Sequence, residues 1–365
     1  MRRKQGLWVM MTALFFWGLT SCGGADLTKT KRQEPAKSET SDKASVHEGR
    51  IKVVHYVGGK LGDKGFFDSA ERGLKKAEYV FGFETSTVEG GEDSTVWKAG
   101  LEKLAASGVY DVIVVGTTPL RELVKELAGR YPKQRFVFYD DTIQGIPNVY
   151  AMLYSQSEGS FLAGAFAAMV STSPELSGAN PEKKIGFIGG VDNEIINDFK
   201  SGYEQGALFI DPDMQVVAVY VGDFVNQGKA KKLAKTQYLL QKVDIIYNVA
   251  GAAGLGLLKA GNEAGKYTIG VDSNQNPLYP GSVLTSMLKN VDESVFRALS
   301  KIRGGSLPFG TTEVLGVKVS GIGIARDELY EKYVPNIIKE KIKDIEGKIA
   351  SGEIRVKSSL TKVSP

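Results

Sequence analysis

The body of the chain alternates short apolar segments with amphipathic ones, and this alternation constrains the fold more than any other feature. Residues 112–115 (VIVV) show it most clearly, because a continuous run of β-branched residues is typical of a parallel strand buried on both faces. The alternation begins at Ile51 and starts again at Lys184. We therefore predict an α/β fold with two lobes, each a doubly wound, mostly parallel sheet with helices on both faces.

The length of this body also favours two lobes, since about 315 residues exceed what a single core usually supports. The predicted first lobe covers residues 51–155 and a return segment at about 283–310. The predicted second lobe covers residues 156–282 and takes back about 311–350. Residues 351–365 then form a C-terminal tail.

The start of the chain has the pattern of a bacterial signal peptide. Three basic residues at positions 2–4 precede an apolar stretch over residues 7–19, which is short for a membrane span. Residues 19–23 (LTSCG) resemble a lipobox, in which the cysteine thiol is acylated. We predict a signal peptide over residues 1–21 and a palmitate-bearing lipoprotein N-terminus at Cys22, which is the only cysteine and can form no intrachain disulfide.

Residues 22–50 are polar and contain few apolar side chains, so they read as a flexible tether. A lipidated N-terminus needs no second membrane span. We expect an exported protein that is lipid-anchored to the cell membrane and faces the periplasm or the outside.

The charge of the chain argues against a nucleic-acid partner. The formal charge of +4 falls to +1 when the three basic residues at positions 2–4 are removed with the signal peptide. No stripe of Lys and Arg suggests a surface that follows phosphates.

The loop after the first strand is rich in glycine and carries Asp63, Phe66 and Phe67. We expect the following helix to begin at Asp68 or Ser69, either of which can cap it. Loops of this kind lie at the carboxyl ends of parallel strands, where ligands bind. The Phe pair either plugs the core or presents one ring to a cleft, where it can stack on a planar ligand.

Other polar and aromatic residues, and one glycine, also follow predicted strands. If the two lobes face each other, these residues line one shared cleft. These residues are Asp140, Asp141, Phe224, Gly251, Asp272 and Lys289. Carboxylates, a lysine and aromatic rings suit a ligand with hydroxyls and a ring, and a pair of carboxylates also suits a glycosidase.

Catalytic and metal-binding patterns are otherwise missing from the sequence. The chain has only two histidines, His47 and His55, and no cluster has metal-ligand spacing. It has no G-x-S-x-G elbow, no Walker A loop and no dinucleotide fingerprint. We therefore expect no enzyme, no metal and no cofactor.

Several motifs, taken in order, resemble the basic membrane protein family, the solute-binding lipoproteins of ABC importers that include the spirochaete purine nucleoside receptor. The resemblance covers about residues 51–350. The motifs are DKGF at 63–66, YD at 139–140, EGSFLAG at 158–164, GFIGG at 186–190, GYEQGA at 202–207, DF at 223–224, VAGAAG at 249–254, IGVD at 269–272 and LTSMLK at 284–289.

The resemblance implies a periplasmic-binding-protein type I fold, an ABC permease and ATPase as partners, and a solute with an aromatic ring and a ribose part. A purine nucleoside is the first choice. In such receptors two Phe rings, matching Phe66 and Phe224, sandwich the base, and an acid matching Asp140 contacts it. The residues that hold or approach the ribose match Asp272, Lys289 and Gly251. Asp63 and Phe67 belong to the same ligand-binding loop.

The chain also departs from the family pattern. Val57 stands where the nucleoside receptors have an Asp, Phe67 where they have an Asn, and residues 225–227 (VNQ) replace an Asp-Pro pair. Fewer polar groups and more apolar area fit a larger ring such as riboflavin. A riboflavin- or sugar-binding lipoprotein of the same fold remains an alternative, as does a surface adhesin or antigen that retains the fold.

Overall fold

The computed structural model describes residues 49–360, and these form two six-stranded sheets with helices between and around the strands. The predicted signal peptide, Cys22 and most of the tether lie outside the described residues. The strands are β1 (Lys52–Val57), β2 (Glu84–Glu89), β3 (Val112–Gly116), β4 (Arg135–Tyr139), β5 (Val149–Tyr154), β6 (Lys184–Gly189), β7 (Gln215–Tyr220), β8 (Ile245–Val249), β9 (Tyr267–Asp272), β10 (Val283–Lys289), β11 (Thr312–Leu315) and β12 (Ile322–Ile324).

The helices lie between the strands, as the alternation predicts. They are α1 (Phe66–Phe81), α2 (Trp97–Ser107), α3 (Arg121–Arg130), α4 (Gln156–Ser171), α5 (Glu194–Ile210), α6 (Gln227–Leu239), α7 (Gly254–Glu263), α8 (Val291–Arg303), α9 (Glu328–Tyr333) and α10 (Asn336–Ser351). None of the helices between residues 49 and 360 combines the length and the apolarity needed to cross a membrane.

The strand order is β11-β5-β4-β3-β1-β2 in the first sheet and β12-β10-β9-β8-β6-β7 in the second. The strand pairs are parallel, except that β12 runs antiparallel to β10. This architecture confirms the predicted two-lobed α/β fold. Because the strands are parallel, the loops that follow them gather at one edge of each sheet.

The predicted return segments are wrong in detail. Strand β10, assigned to the first lobe, pairs with β9 in the second sheet, and β11, assigned to the second lobe, pairs with β5 in the first. Only α8 of the first return segment joins the first lobe, where it packs against α1. The chain therefore passes between the lobes after β5, after β10 and after β11. Sheet membership depends on pairing between distant segments, which hydrophobic periodicity does not encode.

Helices α4 and α5 are in backbone contact because glycines face the neighbouring helix. An ideal Cβ on Gly164 would lie 2.0 Å from the carbonyl oxygen of Tyr203, and one on Gly206 would lie 1.9 Å from that of Phe161. The glycines of α4 and α5 therefore let the two helix backbones approach closely.

The helical region near the C-terminus is divided into α9 and α10. The break falls at Pro335, which has no N–H to donate and restricts the residue before it. The tail after α10 lies along α5, where Ser358 and Ser359 donate hydrogen bonds to the buried Asp198.

Candidate functional site

The glycine-rich loop after β1 is wound around the carboxylate of Asp63. This side chain accepts hydrogen bonds from the backbone N–H groups of Gly65, Phe67 and Asp68, at 3.0, 2.9 and 3.2 Å. Two of these donors lie in the first turn of α1, so Asp63 caps the helix. The helix consequently begins at Phe66, earlier than the predicted start at Asp68 or Ser69.

The ring of Phe66, at the start of α1, lies among other aromatic rings. Its centroid is 5.3 Å from that of Tyr139 and 5.1 Å from that of Phe67, which meets it edge-on. The ring of Phe67 also packs against Gly59, where an ideal Cβ would lie 2.8 Å from it. Phe67 therefore supports Phe66 from the side of the loop.

Lys289 and Asp140 form a buried ion pair that joins the two lobes. Lys289 ends β10 in the second sheet, whereas Asp140 follows β4 in the first. The side chains are 2% and 10% exposed, and the ammonium donates to Oδ1 of Asp140. Burial raises the pKa of Asp140, while the charge of Lys289 acts against this shift.

The ammonium of Lys289 is also enclosed by three aromatic rings. Its Nζ lies 5.3 Å from the ring centre of Phe66, 5.2 Å from that of Tyr154 and 5.3 Å from that of Phe199 on α5. Aromatic faces attract cations, so these rings stabilise a charge that has little contact with water. The sequence did not indicate Tyr154 or Phe199 as site residues.

Asp272 supplies a second carboxylate, and no residue between 49 and 360 donates a hydrogen bond to it. The residue stays partly exposed, and an ideal Cβ on Gly65 would lie 3.5 Å from its Oδ2. Burial of the carboxyl raises its pKa to about 7; Lys289 lowers it, and the nearby Asp63 and Asp140 raise it.

Asp140 and Asp272 share an unusual backbone geometry. Their φ angles are 76° and 64°, in the left-handed region that side chains other than Gly seldom adopt. Asp tolerates this region better than most residues, and such strain is concentrated at functional sites. Both residues lie where a strand ends, Asp272 as the last residue of β9 and Asp140 directly after β4.

Phe224 and Gly251 lie at the same edge of the second sheet as Asp272. Phe224 follows β7 and is 39% exposed, and its ring lies against Gly190, where an ideal Cβ would be only 2.2 Å away. Gly251 follows β8 with a φ of +54°, next to the Cβ of Phe224. A side chain at Gly190 would displace the ring, whereas one at Gly251 would fit beside Phe224 but would be strained by the positive φ.

The two lobes also touch through hydrogen bonds between loops. Ser273 donates from Oγ to the carbonyl oxygen of Gly65 at 3.1 Å, and Gln275 donates from Nε2 to that of Lys64 at 3.3 Å. Arg72 of α1 donates to Oγ of Ser273 at 2.9 Å. The structure therefore has the cleft closed at this point.

The arrangement offers groups for binding and none for metal chemistry. Over residues 49–360, no group of three or more His, Cys, Asp or Glu side chains is placed to hold a metal ion. A buried ammonium, an unpartnered carboxylate and aromatic faces can hold a neutral solute that has hydroxyls and a flat ring.

Comparison with known proteins places the chain among solute-binding proteins. A family profile described as "ABC transporter substrate-binding protein PnrA-like" matches residues 50–355. Basic membrane protein A2 of Borrelia garinii subsp. bavariensis is 30% identical over 322 residues, which cover 87% of this chain and 91% of that protein. Basic membrane protein A of Borreliella burgdorferi is 30% identical over 329 residues, with the same two coverages.

Solved structures resemble the chain over most of its length. An ABC transporter solute-binding protein from Aeropyrum pernix K1 superposes with a TM-score of 0.77 at 26% identity and covers 84% of this chain and 93% of its own. A solute-binding protein from Conexibacter woesei has a TM-score of 0.67 at 21% identity, with coverages of 85% and 100%, and shows the fold alone.

These matches agree with the expected periplasmic-binding-protein type I fold, and ABC solute-binding proteins of this family are exported. The chain thus belongs to the PnrA-like family of ABC transporter substrate-binding proteins, and it binds a solute and is not an enzyme.

Proposed function

We propose that this protein is a lipoprotein anchored through Cys22 that captures a purine nucleoside between its lobes and delivers it to an ABC permease. One observation carries the choice of solute: the ring of Phe66, the ammonium of Lys289 and the unpartnered carboxylate of Asp272 meet in one cleft. A base needs a flat apolar face, and a ribose needs a donor and an acceptor for its hydroxyls.

The ribose is held by Asp272 and Lys289. An ammonium has three N–H donors, and the ion pair with Asp140 uses one, which leaves donors for hydroxyl oxygens. The carboxylate of Asp272 accepts from hydroxyl hydrogens, and these bonds supply the partners that the protein itself does not provide.

The base stacks between Phe66 and Phe224, which come from different lobes. Phe224 is the more exposed of the two, so a ligand ring covers its open face. Asp140 has its Oδ2 available for an N–H group at the edge of the base, while its Oδ1 holds Lys289. Gly251 leaves room for the ribose beside Phe224.

The departures from the nucleoside-receptor pattern are compatible with this solute. Val57 is fully buried, and the described contacts of Phe67 are with Gly59 and Phe66. Neither side chain therefore requires a larger ring in the cleft. A nucleoside therefore comes before riboflavin as the proposed solute.

A thermal-shift screen tests the proposal. The soluble chain from residue 47 is refolded to remove bound solute and mixed with purine nucleosides, pyrimidine nucleosides, riboflavin or simple sugars. Binding to the native state raises the melting temperature. We expect adenosine, guanosine or inosine to raise the melting temperature. If only riboflavin or only a sugar raises it, that compound is the solute and the nucleoside proposal is wrong. If no compound raises it, the adhesin alternative is favoured.

Two aromatic variants test the mode of binding. Each of Phe66→Ala and Phe224→Ala removes a stacking face worth about 1–3 kcal/mol, so we expect the nucleoside affinity to fall by about fivefold to 150-fold. Phe209→Ala is the matched control, because this ring is also exposed but lies near the end of α5. Equal affinities in all three variants would contradict stacking.

The anchor is tested separately. We expect the full chain, expressed in bacteria, to incorporate a labelled fatty acid and to partition into detergent. Cys22→Ala should abolish both while leaving solute binding unchanged. Labelling that persists in Cys22→Ala would place the lipid elsewhere.

A further inference from the structure

A chain of buried hydrogen bonds lies behind Phe66. His55 on β1 is fully buried, and its Nδ1 is 2.9 Å from Oε2 of Glu71 on α1. Its Nε2 is 2.9 Å from the hydroxyl of Tyr139, the last residue of β4. Thr87 on β2 donates to the same Glu71 carboxylate at 2.8 Å. The solute site described above uses none of these polar groups.

Tyr139 and Glu71 are the two groups that flank the imidazole of His55 in this chain of hydrogen bonds. Burial raises the pKa of Tyr139 well above its ordinary value, so its hydroxyl keeps the proton and donates it. Burial alone would raise the pKa of Glu71, but hydrogen bonds from His55 and Thr87 outweigh it and hold the pKa below its ordinary value. With a neutral imidazole, this arrangement has Nδ1 of His55 donating to the Glu71 carboxylate and Nε2 accepting from the Tyr139 hydroxyl.

The ring of Tyr139 is confined on several sides. An ideal Cβ on Gly116 would lie 2.3 Å from its Cε2, so the ring fills the space that a side chain at the end of β3 would need. Its hydroxyl is tied to His55, and its ring centre lies 5.3 Å from that of Phe66. Tyr139 has no exposed surface and cannot touch a solute.

We propose that Glu71, His55 and Tyr139 are positioning residues of the solute site. They fix the angle of the Tyr139 ring, and that ring fixes the angle at which Phe66 presents its face to the cleft. Solute affinity then depends on a hydrogen-bond chain that never contacts the solute. The inference rests on the proposed function, because it takes Phe66 as the stacking face.

A matched pair of variants separates positioning from stability. Tyr139→Phe removes one buried hydroxyl and its bond to His55, and Tyr56→Phe removes another, which bonds to the Trp97 carbonyl oxygen at 3.1 Å. Tyr56 lies next to His55 on β1. We expect both melting temperatures to fall but only Tyr139→Phe to weaken adenosine binding, by about tenfold, the effect of one lost hydrogen bond. Equal changes in the two affinities would overturn the proposal.

A double-mutant cycle tests whether the effect passes through Phe66. In a Phe66→Leu background the stacking face is gone, so Tyr139→Phe should have almost no further effect on adenosine affinity. If the full loss persists in that background, Tyr139 acts on the site by another route and the proposal fails.

A spectroscopic test needs no solute and therefore separates failure of this inference from failure of the proposed function. The chain has two histidines, so His47→Gln leaves His55 as its only imidazole. We expect Phe66→Ala to shift the nitrogen-15 resonance of His55 Nε2, and Phe224→Ala to leave it unchanged. An unchanged resonance in Phe66→Ala would refute the coupling, even if nucleosides bind.

Discussion

At the scale of single residues, the site holds three carboxylates, and only one of them is paired with the ammonium of Lys289. Asp63 has its carboxylate occupied by the backbone of its own loop, and Asp140 is bound to Lys289. Asp272 has no hydrogen-bond partner among the described residues, and burial raises its pKa. Because the protein leaves this acid unpaired, its native state gives up stability that a bound solute can restore.

The pKa of Asp272 predicts how stability changes with pH. Below about pH 4 the carboxyl is protonated in both the folded and the unfolded chain, and between about pH 4 and 7 only the folded chain keeps the proton. The free energy of unfolding therefore falls, through this group, as the pH rises from about 4 to about 7, the pKa of the folded state.

Asp272→Asn removes this effect because an amide does not ionise. We expect the variant to gain more in melting temperature over the parent at pH 8 than at pH 5, and to bind nucleosides more weakly at both. Asp213→Asn, whose carboxylate is 79% exposed, is the surface control. An equal gain in melting temperature at both pH values would show that ionisation of Asp272 does not destabilise the folded state.

Lys289→Met leaves Asp140 buried without its cation. We expect the free energy of unfolding to fall by about 3–5 kcal/mol, and a second change, Asp140→Asn, to recover part of the loss. Denaturant unfolding measures both. For comparison, Lys231→Met breaks a surface pair with Glu263 and should lower the free energy of unfolding far less. Similar losses in the two lysine variants would mean that the buried ion pair contributes no more to the free energy of unfolding than the surface pair does.

At the scale of helices and strands, the sequence predicts which elements exist far better than how they pair. The alternation located the strands and helices because it follows local burial. It failed for β10 and β11, whose sheets are decided by distant partners. The start of α1 was also missed, since Asp63 caps the helix from outside its first turn.

The same contrast, between local patterns and contacts with distant residues, holds for the candidate site. Phe66, Asp140, Asp272 and Lys289 were predicted because each follows or ends a strand within a motif, and the structure brings these side chains together. Tyr139 could have been noticed, as it directly precedes Asp140. Phe199 lies inside α5, and nothing in the local pattern separates it from a core residue.

The backbone contact between α4 and α5 gives a prediction for a single methyl group. Gly206→Ala places a Cβ against the Phe161 carbonyl oxygen, so the helices must move apart. We expect the free energy of unfolding to fall by about 1–3 kcal/mol, measured by denaturant titration.

The control is Gly347→Ala on α10, where a Cβ meets nothing within 4 Å. There the change should raise stability by about 0.5–1 kcal/mol, because Ala is the better helix former. If both substitutions changed the free energy of unfolding in the same direction, close packing of α4 and α5 would not explain the effect of Gly206→Ala.

At the scale of the whole molecule, the lobes are joined by direct contacts as well as by the solute. The ion pair between Lys289 and Asp140 and the hydrogen bonds of Ser273 and Gln275 connect the lobes directly. A solute that touches both lobes only when they are closed shifts the population further toward the closed form. Affinity is therefore set partly by contacts that the solute does not make.

Ser273→Ala tests this division. The change removes the hydrogen bond to the Gly65 carbonyl oxygen and the one accepted from Arg72. We expect a larger radius of gyration by X-ray scattering in the absence of solute, and faster solute dissociation. Ser306→Ala, in a loop after α8, should change neither. A radius and a dissociation rate that match the parent would show that the solute alone closes the cleft.

The three passages of the chain between the lobes have a consequence for biogenesis. An edge strand of each sheet, β11 in one and β12 in the other, comes from the last sixty residues of the sequence. Neither lobe can be completed while those residues are still in the ribosome, so a nascent chain stays without its finished sheets until synthesis is almost over. For an exported protein, this delay favours translocation of a chain that is not yet fully folded. The crossings also mean that no single cut in the sequence yields two halves that each contain a complete lobe.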